Sequence, residues 1–241
     1  MITLIIAFAC IGWLQTSVQV AKMATKPFLA PPPEYIEHFH FGFNDSMADS
    51  FWLRWIQDSE NCTVYARELK TQTYDITRRG DSFYNPRYKV CDGSWAFKML
   101  DAVTKLAPRF KMPYLAGGIS LAVLTEDYQG ATIIFDRGLK VYPEDWLLLY
   151  RAAFHYLYDL DDLVRAAELL ERAADHGAPP WTKSLASKLY SKSGRLELGI
   201  STLESYRRGL TDEKLIVEVD RRLALLKRQL SLSKQEFNKE P

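Results

Sequence analysis

The side chains best placed for chemistry lie in "DWLLLYRAAFHYLYDL", residues 145–160. Arg151, His155 and Tyr158 stand four and then three residues apart, so a helix through this stretch sets all three on one side. The apolar stripe of Leu149, Ala153 and Tyr156 falls on the opposite side. Further along, Ser184, Lys188 and Ser191 repeat the spacing. A guanidinium, an imidazole, a phenol and an ammonium arranged in this way suit a carboxylate, or an acidic extended segment of another protein. On a helix that faces only water, the same residues would be an ordinary solvated surface.

Other chemistry has fewer footholds. His38 and His40, in "EHFHF", could share a metal only on an extended stretch, because on a helix they point to different sides. Cys10, Cys62 and Cys91 form no C-x-x-C pair, and no histidine pair of zinc-ligand spacing accompanies them, so no metal site is expected. Phosphate-binding glycine loops, H-E-x-x-H and G-x-S-x-G are all missing from the sequence. The expectation is a binding protein with no catalytic residues and no cofactor. The net charge of +1 gives no field that would draw nucleic acid, and the tyrosines and tryptophans sit at core-like helical spacing.

Cys62 and Cys91 flank "TVYARELKTQTYDITRRGDSFYNPRYKV", which reads as a long polar loop over residues 63–90. A disulfide closing it would stabilise the fold by roughly 3 kcal/mol through the unfolded chain. Two small buried thiols are the other reading. An alternative for the whole chain is an α-helical envelope enzyme whose tyrosine-rich loop covers a cleft, with Asp75 or Asp81 meeting Glu68.

The elements that must position these residues are helices. From Tyr35 onward apolar residues recur at three and four, as in "SWAFKMLDAVTKL" and "LVRAAELLERAA", and strand-like alternation is nearly absent. Breaks such as "TEDYQG", "DLDD" and "SG" are short, which makes successive helices antiparallel. A small residue recurs at Ala96, Ala131, Ala166 and Gly199, in steps of 35, 35 and 33 residues. A large apolar residue follows each at +4: Leu100, Phe135, Leu170 and Leu203. Gly138 and Ala173 are small at +7, and Pro108 and Pro143 close two of the copies at +12. Physically, the small residue lets its helix approach the preceding one and the large one fills the groove to the next hairpin. Gly138 is expected to let the following helix pass, and Pro143 ends its own.

This series resembles the tetratricopeptide repeat, with the match running from about residue 95 to 210. Gly117-Gly118 in the second unit, and Gly199 and Tyr206 in the fourth, depart from the pattern. The resemblance implies an all-α, right-handed solenoid of about four helix hairpins over residues 35–210, with a concave groove for a protein partner. The fourfold set Arg151, His155, Tyr158 and Lys188 would line that groove. "TDEKLIVEVDRRLALLKRQL" reads as a polar-backed capping helix over residues 211–232, with Thr211 placed to cap its start and a tail to 241. Its basic run is either a solvated face or an attraction for an acidic partner or membrane surface.

The first 21 residues carry no charge and, as a helix at 1.5 Å per residue, would just cross a ~30 Å hydrocarbon core. A membrane anchor over 1–21 and a proline-rich spacer over 22–34 are expected; a cleaved signal, a lipoprotein box at Cys10 and a buried helix are the rivals. Lys22 and Lys26 favour a cytoplasmic body and the suspected disulfide an extracytoplasmic one, and the latter is preferred. Together these features lead to the expectation of a membrane-tethered, periplasmic scaffold in a cell-envelope assembly. A soluble cytoplasmic adaptor is a further alternative.

Overall fold

Apolar residues three and four apart, separated by short polar breaks, give helices packed on helices. The computed structural model describes Leu29 and residues 31–38, 41–72 and 95–237. A 3₁₀ turn, Ile36–His38, precedes α1 (Asn44–Gln72) and α2 (Trp95–Leu106). A π-helical turn, Pro113–Gly117, then runs into α3 (Gly118–Leu124), followed by α4 (Tyr128–Val141), α5 (Trp146–Tyr158) and α6 (Leu163–Asp175). The series closes with α7 (Trp181–Lys192), α8 (Leu196–Arg208) and α9 (Glu213–Phe237). Among the described residues there is no sheet. Helices adjacent in the chain pack on one another from α3 through to α9, and α3 also meets α5 as α2 meets α4. Such a row is consistent with a helical solenoid.

Aspartates start four of these helices. Asp127, Asp145, Asp162 and Asp212 accept from the amides of Gly130, Leu148, Arg165 and Lys214 at 2.8–2.9 Å. Each satisfies an amide that the first turn leaves unpaired. The start of α9 is therefore capped by Asp212, not by Thr211 as expected, and α9 runs on to Phe237. Asp145 also binds the Lys111 ammonium. Burial alone would push its carboxyl up; Lys111 and the Leu148 amide outweigh burial and hold it below the ordinary carboxylate value. A lowered folded-state value means this stabilisation is complete above about pH 4 and is lost as pH falls through the folded value. Asp145→Ala is expected to cost about 1–2 kcal/mol at neutral pH. Urea denaturation repeated at about pH 3 should find the gap between variant and wild type narrowed.

The interior follows the repeated spacing. Ala96, Ala131, Ala166 and Gly199 are all buried, and Phe135, Leu100, Leu170 and Leu203 are completely so. Phe135 reaches the next hairpin, its ring centroid 5.3 Å from that of His155. Gly138 departs from expectation. A Cβ there would lie 2.8 Å from the ring of Tyr114, in the turn that precedes α3, so the glycine admits a residue upstream of it instead of the following helix. The buried apolar residues form one large cluster from Trp55 and Trp95 to Tyr190. A separate one, including Leu203, Tyr206, Leu223 and Leu226, joins α8 to α9.

Two further expectations change. The loop expected at 63–90 is helical through Gln72, because "TVYARELKTQ" holds neither glycine nor proline and the breakers come only at Gly80 and Pro86. The rest of that loop, the Cys62–Cys91 bridge and the meeting of Asp75 or Asp81 with Glu68 lie outside the described residues. No helix among the described residues is long and apolar enough to cross a membrane, and residues 1–21 also lie outside them. The expected transmembrane anchor is not upheld, nor is the periplasmic placement that joined it to the suspected disulfide.

Candidate functional site

One face is built by the first helices of successive pairs, and specific contacts tie those helices together. Arg151 of α5 reaches back to donate to the Leu115 carbonyl at 2.9 Å, in the π-helical turn where the helix ladder changes register. Tyr150 of α5 meets Trp181 of α7 edge to face, at 6.1 Å between centroids. Arg222 of α9 donates to the Ser184 hydroxyl of α7 at 3.2 Å. The face is thus continuous from α3 through α5 and α7 to α9.

Aromatic rings run along it. Tyr150, Phe154 and Tyr158 stand four residues apart on α5, with centroids 4.6 Å and then 5.5 Å apart, and Trp181 extends the row across to α7. Tyr158 is 73% exposed and Trp181 46%. Between α3 and α5 lies an open cavity of about 410 Å³, lined by Ile119, Val123, Phe135, Phe154, Arg151 and His155 among others. Its volume falls within the range of ligand clefts, about 300–1,000 Å³.

The four residues singled out by spacing fare differently. Arg151, His155 and Tyr158 all line this cavity, whereas Lys188 is exposed on α7 on the same stripe as Ser184. His155 is not the solvated side chain its spacing implied, being only 4% exposed. Its Nδ1 lies 2.7 Å from the Asp159 carboxylate and its Nε2 2.8 Å from the Thr132 hydroxyl of α4. The carboxylate can only accept, so Nδ1 carries a proton and donates it. Thr132, His155 and Asp159 line up hydroxyl, imidazole and carboxylate, as acyl-transfer sites do. However, the Thr132 hydroxyl, one turn into α4, also lies 2.8 Å from the Tyr128 carbonyl, which competes with Nε2 for its single proton. The trio is a buried histidine satisfied at both nitrogens, and it fastens α4 to α5.

The arginines carry the unmet demand. A guanidinium has five N–H donors, and both Arg151 and Arg222 are partly buried with one neutral oxygen apiece as acceptor. Burial pulls Arg222 below its ordinary value. Among the described residues neither has a carboxylate within 4.0 Å, unlike the partly buried Arg137 and Arg165; Arg172, away from this face, likewise has only the Pro143 carbonyl. Asp159, the acid in the cavity wall, is held by His155. Sequence spacing missed Arg222, whose partner lies 38 residues away. It also passed over Tyr150 and Phe154, although their four-residue step was there to be read.

No protein-family model matches the chain, and no curated protein matches it. The resemblance to tetratricopeptide repeats therefore does not extend to membership, and that assignment is withdrawn. An all-α row of helix pairs stands without it.

Proposed function

We propose that this protein is a non-catalytic adaptor that holds a segment of a partner protein against the face built by α3, α5 and α7. The observation that carries this reading is the uninterrupted row Tyr158–Phe154–Tyr150–Trp181, solvent-accessible at both ends and flanked by Arg151, with Lys188 further along α7. Rings that present a face to solvent beside cations are typical of the centres of protein interfaces, where tyrosine, tryptophan and arginine concentrate the binding energy. A row of helix pairs also leaves its first helices free to form an extended surface.

Site-specific photo-crosslinking in the native cell tests it. A photoreactive residue at Tyr158 should give protein adducts, while one at Ile133, exposed on the second helix of its pair, should not. Arg151→Glu combined with Lys188→Glu should reduce the Tyr158 adducts at least about tenfold, since each reversal replaces attraction with repulsion. Adducts equal at both positions would remove the face from the function; adducts unchanged by the double reversal would remove only the two cations from it.

A further inference from the structure

If the adaptor reading holds, the face also says what kind of segment it takes. We propose that the occupant is an extended acidic segment whose one large apolar side chain enters the cavity between α3 and α5, while its carboxylates pair with Arg151 and Arg222. Three observations on separate helices converge on this. The cavity is walled almost entirely by apolar atoms, so the group that fills it must be apolar to gain from leaving water. Arg151 stands at its edge with most of its donors unused, so a carboxylate next to the anchor can be held bidentately without displacing another acid. Arg222 presents the same unmet demand at the far end, beyond Trp181 and Ser184, which sets a direction along the row.

The face selects against other segments by the same features. A basic segment would bring like charges to two partly buried guanidiniums, neither of which has a carboxylate within 4.0 Å among the described residues; Glu218 attracts Arg222 only from further off. A neutral apolar segment would fill the cavity and leave both arginines half-desolvated and unpaired. Lys188, exposed on α7 between these ends, adds a long-range pull that salt would screen.

Selection from a displayed library of random segments tests the proposal; about 12 residues, which reach roughly 40 Å when extended, suffice to span the row. The bait is the full chain. Selected segments should carry a large apolar residue flanked by at least two acids. Synthetic copies, followed by fluorescence anisotropy, should bind at least about tenfold more weakly after alanine replaces the apolar anchor. Arg151→Glu and Arg222→Glu should each give a comparable loss, as should Val123→Glu at the rim, where 68% exposure spares the fold. Circular dichroism checks that each variant remains helical. Enrichment of basic or uncharged segments on the same face would overturn the proposal and leave the adaptor reading standing. No enrichment at all, together with no face-dependent crosslinking, would overturn both.

Discussion

Gly138→Leu is expected to abolish cooperative folding, with the purified chain losing its sharp urea transition. A Cβ at position 138 already lies 2.8–2.9 Å from Cβ, Cγ and Cδ1 of Tyr114, the rigid root of that side chain and not its movable tip. The ring cannot swing aside cheaply. It is fully buried, its hydroxyl donates to the Pro108 carbonyl at 3.0 Å, and the Tyr142 ring sits against it at 6.3 Å. Burial also pushes the hydroxyl up to about 12, so the group enters the core neutral. One added methyl is the gentler test. Gly138→Ala gains about 1 kcal/mol of helix propensity and loses about 1–3 kcal/mol or more to overpacking, so a net loss is expected. An alanine variant as stable as wild type would show that α4 and the turn before α3 are less tightly meshed than described.

Phe135→Ala is expected to destabilise the chain by about 3–5 kcal/mol, the usual range for removing a completely buried phenylalanine. For a chain of this size that corresponds to a fall in Tm of roughly 10 °C. The ring is shared: it packs beside Gly118 in its own helix pair and against His155 in the next. Its loss therefore weakens a joint between pairs as well as one pair. Because Phe135 also lines the open cavity, truncation deepens that cavity and lets water reach the interior. Phe135→Leu keeps most of the volume and should lose about 1 kcal/mol. Thermal unfolding followed by circular dichroism distinguishes the two; equal losses would mean the site tolerates any apolar residue.

Phe135 and Gly138 also show where sequence reading stops. That one position must be large and the other small was legible from their recurrence at +4 and +7. What Gly138 makes room for was not, because periodicity fixes which face of a helix is buried and is silent on which neighbour covers it. His155 shows the same gap: its distance from the stripe of Leu149 and Tyr156 suggested a solvated group, yet Thr132, 23 residues upstream, completes its burial. Helix ends were legible where glycine or proline stood. The extension of α1 to Gln72 and the π-helical turn before α3 were not, since the first lacks a breaker and the second arises from close approach at Gly117 and Gly118. The membrane and repeat-family expectations rested on composition and motif alone, and neither the helices described nor the family comparison upholds them.

The division of the apolar interior at the α7–α8 boundary has a mechanical consequence. Across that seam several of the ties are polar: Ser187 to the Gly199 carbonyl, Lys183 to Ser205, Thr202 to Glu171, and Arg222 to Ser184. The apolar cluster that α8 shares with α9 is separate from the larger one, so the last two helices form the unit expected to open before the rest. Peeling would carry one of the two arginine grips off with it. A guest that bridges both grips therefore acts as a clasp, and its arrival rigidifies the loose end of the array.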